Sequence, residues 1–375
     1  MLLRGEDDTV DCPQASRSGR RELIAAVSGT AQPRKKLLGV LGGEAASPPP
    51  IWLMRQAGRY LPEYRAVRAR ARTFLDLCFS PDLACEVTLQ PIRRYGFDAA
   101  ILFSDILVIP YALGQRVWFV EGEGPRLEPV RVVTDLARLD RTNVRGALAP
   151  VFETVRRLRR ELPAETTLIG FAGAPWTVAT YMVEGASGSD FAVVKDFAYR
   201  DPAAFGALVD LVVGATVDYL VAQVEAGAEV LQLFDSWAGV LSEAAFRRWV
   251  IAPTAKIVEQ LKQRCPGVPV IGFPRGAGML HADYVRGTGV DAVSLDTTVP
   301  MALAGALQEL VPVQGNLDPR LLVIGGEAML GEASAILRGL AGGPFVFNLG
   351  HGIVPETPPE NVAALVRLVR EGKWR

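Results

Sequence analysis

Histidine and cysteine are scarce in this chain, and neither sign of charge dominates it. The 375 residues include two histidines and four cysteines, and 40 basic residues offset 41 acidic ones to a formal net charge of −1. With only His281 and His351 available, a metal site built from several histidines is excluded. The balanced charge argues against the broad basic surface that nucleic-acid binding usually needs.

The cysteines and the apolar residues also exclude some classes of protein. Cys12, Cys78, Cys85 and Cys265 form no C-x-x-C pair, so we expect reduced thiols that pack as small apolar side chains. No apolar run approaches the ~18–20 residues that span a bilayer. Charged residues precede any apolar stretch at the N-terminus, which is not typical of a secretory signal. We therefore expect a cytoplasmic protein that does not bind membranes.

The N-terminal part of the chain differs in composition from the rest of it. Residues 1–33 are rich in charged and polar residues and have little periodicity. We interpret them as a flexible N-terminal extension, or as the product of a wrongly assigned start codon. Residues 34–375 are expected to form a single domain, long enough for one α/β barrel with additions.

Eight short apolar runs occur in this domain, bounded by glycine, proline or aspartate. Continuous apolar runs of this length are typical of strands that are buried on both faces, as in parallel sheets. The runs are Ile51–Met54, Ala99–Phe103, Thr167–Phe171, Val230–Phe234, Val268–Phe273, Ala292–Leu295, Val311–Gln314 and Phe345–Leu349.

Helical patterns separate several of these runs. Phe205–Val224 and Ser242–Leu261 have apolar residues at three- and four-residue spacing, and a last helix is predicted over Pro358–Arg370. Eight strand-then-helix units predict an α/β fold, a (β/α)8 TIM barrel. The alternative is a doubly wound sheet with an added domain. That fold usually carries G-x-G-x-x-G after its first strand, and residues 54–59 do not match this pattern.

The gap between the second and third runs is long enough to hold an insertion. Residues 115–120 and 126–132 flank the turn-forming sequence Glu121–Pro125. We predict a β-hairpin insertion after strand two, lying over the barrel mouth.

In such a barrel, function gathers on the loops that follow the strands. Every predicted strand is followed by at least one polar side chain that would reach the same rim. These residues are Arg55, Arg59, Ser104, Asp105, Tyr181, Asp235, Ser236, Arg275, Asp296, Asn316, Asp318 and His351.

The first of these loops is strongly basic. Residues 55–72 contain six arginines and one acid, Glu63. Guanidinium groups bind carboxylate or phosphate through two parallel hydrogen bonds, so this loop predicts a ligand with several anionic arms. A solvated helix face is the alternative, and it suits Arg65, Arg70 and Arg72 best.

Four other rim positions have both a functional and a structural interpretation. Asp105 lies among apolar neighbours, where it either accepts ligand N–H groups and balances positive charge, or caps the strand end. Tyr181 and Ser236 either donate to an anionic ligand or make local contacts. His351, between two glycines, is expected to be a flexible, exposed imidazole for hydrogen bonding or proton transfer, with a structural role as the alternative, whereas His281 is expected to be structural or on the surface.

Seven motifs occur in order along the chain. They are Met54–Arg65 (MRQAGRYLPEYR), Phe103–Leu107 (FSDIL), Gly170–Thr177 (GFAGAPWT), Thr180–Gly185 (TYMVEG), Leu233–Gly239 (LFDSWAG), Gln314–Pro319 (QGNLDP) and Phe347–Gly352 (FNLGHG). Together they resemble the uroporphyrinogen decarboxylase family over about residues 34–372. Residues 1–33 lie outside the resemblance.

The resemblance implies a (β/α)8 barrel, usually a homodimer, that converts uroporphyrinogen III to coproporphyrinogen III in haem and chlorophyll synthesis. This carboxy-lyase turns four acetate side chains into methyl groups, with loss of carbon dioxide and without a metal or organic cofactor. An arginine-rich mouth suits a substrate that bears carboxylates on every side.

The matching motifs also imply roles for single residues. Asp105 would hold the pyrrole N–H groups and balance the developing charge, and Arg55 is a candidate proton donor. Arginine is a weak acid, so a shared proton or a water near Asp105 is the rival. The implied substrate-binding residues are Arg55, Arg59, Arg68, Asp105, Tyr181, Phe234, Ser236 and His351.

Two other functions fit the same barrel. Corrinoid-linked methyltransferases hold zinc through histidine and cysteine, but this chain has no His-x-Cys and no cysteine beside either histidine. A non-catalytic tetrapyrrole-binding protein would keep the arginines, and an Asp105 beside them argues for catalysis instead.

Overall fold

The computed structural model describes residues 35–120, 123–187 and 190–374. All of them fall within one compact unit, Arg34–Arg375. The predicted extension 1–33 lies outside the described residues, and so does Cys12. The other three cysteines are buried free thiols, which confirms their prediction as packing residues.

A curled parallel sheet of seven strands forms the core. The strands are β1 (Ala99–Ile101), β4 (Thr167–Gly173), β5 (Val230–Asp235), β6 (Val270–Pro274), β7 (Ala292–Ser294), β8 (Val313–Leu317) and β9 (Phe345–Leu349), and they lie in that order across the sheet. Each neighbouring pair is parallel, so all carboxyl ends reach one edge. Seven of the eight predicted strands are thereby confirmed.

Helices surround this sheet. They are α1 (Lys36–Leu41), α2 (Pro62–Arg68), α3 (Phe74–Cys78), α4 (Pro81–Tyr95), α5 (Val108–Ala112), α6 (Val144–Ala147), α7 (Ala149–Glu161), α8 (Pro175–Glu184), α9 (Ala192–Arg200), α10 (Pro202–Ala226), α11 (Glu243–Phe246), α12 (Ala252–Arg264), α13 (His281–Thr288), α14 (Met301–Gln308), α15 (Pro319–Ile324), α16 (Gly326–Leu340) and α17 (Pro359–Glu371). One π-helical turn, Arg247–Ile251, joins α11 to α12, so the helix predicted over residues 242–261 is continuous.

The longest helix, α10, has 25 residues and packs against β4, α8 and α12. By length and composition it could cross a membrane, and 72% of its apolar window is buried inside the fold. Asp210 and Asp218 interrupt its sequence, so it contains no continuous apolar run of the ~18–20 residues that span a bilayer, and its burial is typical of a core helix that is covered on several sides.

The predicted first strand is a bridge rather than a strand. Ile51 forms a single parallel bridge to Phe347 of β9. On its other side its N–H donates to Asp98 Oδ2 (2.9 Å), and its carbonyl accepts from the Asp98 N–H (3.0 Å). The segment thus contacts both edges of the seven-stranded sheet.

Between β1 and β4 the chain forms a separate two-stranded sheet. Strands β2 (Val117–Val120) and β3 (Gly124–Leu127) are antiparallel, with Val117 opposite Leu127. The second strand begins at Gly124 and ends at Leu127, whereas it was predicted over residues 126–132. The position of the hairpin β2–β3 over a barrel mouth stays a prediction.

Candidate active site

The loop after Ile51 is held from two sides of the sheet. The Met54 N–H donates to Asn348 Oδ1 of β9 (3.0 Å), and Gln56 Nε2 donates to the Ala99 carbonyl of β1 (3.1 Å). Gln56 is itself buried, whereas Arg55 next to it is exposed. The buried neighbours therefore fix the loop and leave the guanidinium outside the core.

Arg55 has an unusual backbone and a close neighbour. Its φ of 59° lies in the left-handed region, which costs a residue with a side chain about 1 kcal/mol or more. A Cβ at Gly352 would overlap the Arg55 side chain from Cγ to Nε. The second glycine of Gly350-His351-Gly352 thus provides the space in which Arg55 lies.

Asp105 lies beyond the end of β1 and is half-buried. Its Oδ1 accepts from the Leu107 N–H (2.8 Å), so the strand-end turn predicted as an alternative is present. Within the described ranges its Oδ2 makes no hydrogen bond. Burial raises the pKa of this carboxyl, while the Leu107 N–H and the charge of Arg55 lower it. One oxygen therefore shapes the loop, and the other is free for a ligand.

Tyr181 on α8 is close to both of these groups. Burial, with the Asp105 charge, raises the pKa of its phenol to about 12, and Arg55 acts in the opposite direction. The ring packs on Trp237 with centroids 4.3 Å apart. Tyr181 is accordingly a neutral hydrogen-bond donor beside Asp105 and Arg55.

The remaining arginines of the first loop fall into two groups. Arg59 is exposed and Arg68 is half-buried. Burial raises the pKa of the Tyr64 phenol to about 12, and the charges of Arg59 and Arg68 act in the opposite direction. Arg68 also donates to the Ala71 carbonyl (2.9 Å). Arg65 instead donates to the Arg59 carbonyl (2.7 Å), so its guanidinium supports the loop and the structural alternative holds for it.

Aromatic and polar groups meet where β5 ends. Phe234 lies edge-on to Phe171 and Phe273, with centroids 5.6 and 6.0 Å apart. Ser236 is half-buried two residues later, and its hydroxyl has no hydrogen bond to the parts of the chain that the structure covers. Between them Asp235 is buried.

Asp235 takes part in a short chain of hydrogen bonds. Its Oδ1 accepts from Thr177 Oγ1 (2.5 Å), which in turn accepts from the Trp237 N–H (3.2 Å). Oδ2 is buried without a partner in the described residues. Burial raises the pKa of this carboxyl to about 7, and the bonds from Thr177 oppose the shift. These bonds fix the turn that carries Ser236.

His351 differs from its prediction. It is half-buried rather than exposed, and its ring stacks on Phe273 with centroids 6.3 Å apart. Burial, then the charges of Arg55 and Arg275, lower its pKa to about 3, although Asp296 acts in the opposite direction. A ring packed in this way is held neutral, so it can hydrogen-bond but does not donate a proton as imidazolium. His281 is fully buried and structural.

Neither histidine is expected to titrate near pH 6.5. Burial lowers the pKa of His281 as well as that of His351. With two histidines in the chain, their ring C–H resonances can be followed individually by NMR from pH 5 to 8; those of His351 should stay constant, and any titration of His281 should have its midpoint below 6.5. The urea-unfolded protein is the control, because both rings should then titrate at about 6.5. A native midpoint near that value for His351 would contradict the burial argument.

Several of the predicted site residues interact with one another. Electrostatic interactions link Asp105, Arg55 and Tyr181 directly, and link Arg55 to His351. Asp235 and Arg275 were predicted to reach the rim, but neither was assigned a role in binding or catalysis. The prediction missed Thr177, which no strand-end rule could indicate because it lies within α8.

Comparisons with known proteins show the family to which the chain is similar. The chain matches the family model for uroporphyrinogen decarboxylase (URO-D) over residues 32–372. The uroporphyrinogen decarboxylase of Rhodospirillum rubrum is 59% identical over 338 residues, which cover 90% of this chain and 97% of that protein. That of Sinorhizobium fredii is 58% identical over 344 residues, covering 92% and 99%. A methyltransferase from Methanosarcina mazei has the same fold, with a TM-score of 0.68 at 19% identity, covering 90% of this chain and 98% of that one.

Proposed function

The chain belongs to the uroporphyrinogen decarboxylase family, and on that premise we propose that Asp105 and Arg55 perform its reaction at the carboxyl edge of the sheet. The protein is a decarboxylase of porphyrin biosynthesis. Its substrate is uroporphyrinogen III, its product is coproporphyrinogen III, and it uses no cofactor. The observation that carries the assignment is the Asp105 oxygen that has no partner in the described residues and lies beside the Arg55 charge.

Loss of carbon dioxide leaves a pair of bonding electrons on carbon, so the reaction needs a group that accepts them. Protonation of the pyrrole carbon that bears an acetate makes the ring a cation, and the bond to the carboxylate then breaks to release carbon dioxide. The bonding electrons return to the ring as a methylene group, which takes a second proton and becomes methyl. The protein must therefore stabilise a ring cation and hold anionic arms at the same time.

The described residues suit both tasks. Asp105 Oδ2 accepts the pyrrole N–H groups and balances the ring cation, while Arg55 binds the carboxylate of the reacting acetate. The raised pKa of Asp105 makes the carboxyl side of the site a better proton source than a guanidinium, which does not release its proton in proteins. Neutral Tyr181, Ser236 and His351 donate to further carboxylates.

The other residues complete the binding site. Arg59 and Arg68 bind acetate or propionate arms, and Phe234 packs on the macrocycle. Aromatic packing on a planar pyrrole ring is worth about 1 kcal/mol beyond the area that it buries.

We propose three further properties of the whole molecule. The sheet closes into a (β/α)8 barrel through Ile51, which contacts both edge strands, and the hairpin β2–β3 lies over its mouth. The barrel domain spans residues 34–375. The protein works in the cytoplasm as a homodimer, which sedimentation of the purified protein can test.

Anaerobic incubation with uroporphyrinogen III, followed by separation of the products, tests the function. We expect coproporphyrinogen III, preceded by intermediates with seven, six and five carboxylates. Binding without release of carbon dioxide would instead establish a tetrapyrrole carrier. Tightly bound zinc with methyl transfer to a thiol would establish the corrinoid-linked alternative.

Arg59→Ala should weaken substrate binding and leave the chemical step nearly intact. A charged hydrogen bond contributes about 1.5–3 kcal/mol, so we expect KM to rise about 10–100-fold while kcat changes by less than about threefold. Initial rates across substrate concentration measure both. The matched control is Arg72→Ala, an exposed arginine of the same segment, which should leave KM unchanged. Equal KM values for Arg59→Ala and the native enzyme would refute the role.

A further inference from the structure

Arg275 is held rigidly at the rim of the site. It follows Pro274, which pairs with Asp235 at the end of the neighbouring strand. The Arg275 N–H donates to the Asp235 carbonyl (3.1 Å), and its own carbonyl accepts from the Gly239 N–H (3.0 Å). Its backbone is therefore fixed beside the turn that carries Ser236.

The side chain of Arg275 has no anionic partner in the described part of the chain. It is exposed, and it makes no ion pair or hydrogen bond within residues 35–120, 123–187 and 190–374. The neighbouring carboxylate of Asp296 is already occupied, because it accepts from the N–H groups of Gly276 (2.7 Å) and Thr298 (2.9 Å) and from the Thr298 hydroxyl. The Arg275 guanidinium thus has no ion-pair partner among the described residues.

The strand order places this charge far from the first loop. Three strands separate β6 from the Ile51 segment in one direction (β1, β4, β5), and three separate it in the other (β7, β8, β9). Arg275 therefore follows β6, the strand opposite the Ile51 segment, and that segment leads to Arg55. The charges of Arg55 and Arg275 both lower the pKa of His351, so the two arginines belong to the same site.

We propose that Arg275 is a further substrate-binding residue, which holds a carboxylate arm on the side of the macrocycle away from Arg55. This inference rests on the proposed function, since it needs a ligand whose anionic arms point in all directions. With the reacting acetate at Asp105 and Arg55, the opposite pyrrole ring carries its acetate and propionate towards β6. A guanidinium without a partner is the group that such an arm requires.

Steady-state kinetics of Arg275→Gln test the proposal. We expect KM for uroporphyrinogen III to rise about tenfold or more, with kcat within about twofold of the native value, because the arm is remote from the bond that breaks. Arg275→Lys should recover part of the loss, since the charge remains but the two-pronged contact does not. Arg286→Gln, an exposed arginine in the last turn of α13, is the control and should match the native enzyme.

Inhibition by coproporphyrinogen III identifies which arm is bound. This product keeps the four propionates and has lost the acetates. If Arg275→Gln weakens product inhibition as much as it raises KM, the arm is a propionate, and if inhibition is unchanged while KM rises, the arm is an acetate. A KM within twofold of the native value, or equal to that of Arg286→Gln, would overturn the inference. Failure of the native enzyme to form coproporphyrinogen would instead overturn the proposed function.

Discussion

Asp105→Asn is expected to lower kcat for uroporphyrinogen decarboxylation by about 10³-fold, the loss typical of removing a preorganised electrostatic partner of the transition state. Asparagine can still accept from the Leu107 N–H, so the loop should keep its shape. It lacks the negative charge that balances the ring cation, and its Nδ2 cannot accept pyrrole N–H groups. We expect the free energy of unfolding to change by less than about 1 kcal/mol.

The control for Asp105→Asn is Asp140→Asn. Asp140 makes the same local bond, from the Thr142 N–H to Oδ1 at 2.8 Å, on an exposed loop. Single-turnover rates and urea unfolding of both variants separate a catalytic from a structural effect. Turnover of Asp105→Asn within about tenfold of native, or an equal loss in Asp140→Asn, would contradict the assignment.

Asp235→Asn is expected to make the stability of the protein less dependent on pH. The folded pKa of Asp235 is raised from 3.8 to about 7 by burial, so between these values the native state holds a proton that the unfolded state has lost. Stability from this group is therefore present at low pH and falls as pH rises through the folded pKa. Asparagine cannot ionise and keeps the oxygen that accepts from Thr177 Oγ1.

The measurement for Asp235→Asn is urea unfolding of both proteins at pH 5 and pH 8. The free energy of unfolding of the variant minus that of the native protein should increase by about 3 kcal/mol between the two pH values. Any constant effect of the substitution cancels in this double difference, which serves as the internal control. A difference that is the same at both pH values would show that Asp235 is not held protonated near neutrality.

The strands of the sheet could be predicted because their signal is local. A continuous apolar run such as Phe345–Leu349 needs no distant partner to be recognised. The Ile51–Met54 run failed as a strand because its backbone is bound elsewhere. The Leu53 N–H, which like that of Ile51 faces β1, donates to Gln56 Oε1 (3.1 Å), so it is not available for ladder bonds to β1. That competition depends on a side chain in the following loop, which periodicity does not reveal.

The site was partly predictable for the same reason. Strand ends indicated Asp105 and Ser236, because all parallel strands deliver their carboxyl ends to one edge. The burial of His351 was not predictable, since it depends on the ring of Phe273, which is distant in the sequence. Neither was the protonation of Asp235, which results from desolvation by a fold that must already be complete.

The contacts of Ile51 and Met54 with β9 can form only after β9 has been synthesised, so they limit when the active site can form during translation. Ile51 and its partner Phe347 are 296 positions apart, because 347 − 51 = 296. At about 5–20 residues per second, the ribosome delivers the partner strand roughly 15–60 s after Ile51. During that interval Arg55 has no Gly352 to lie against, and the apolar run before it is uncovered. A nascent chain therefore cannot complete this part of the site until Gly352 has been synthesised.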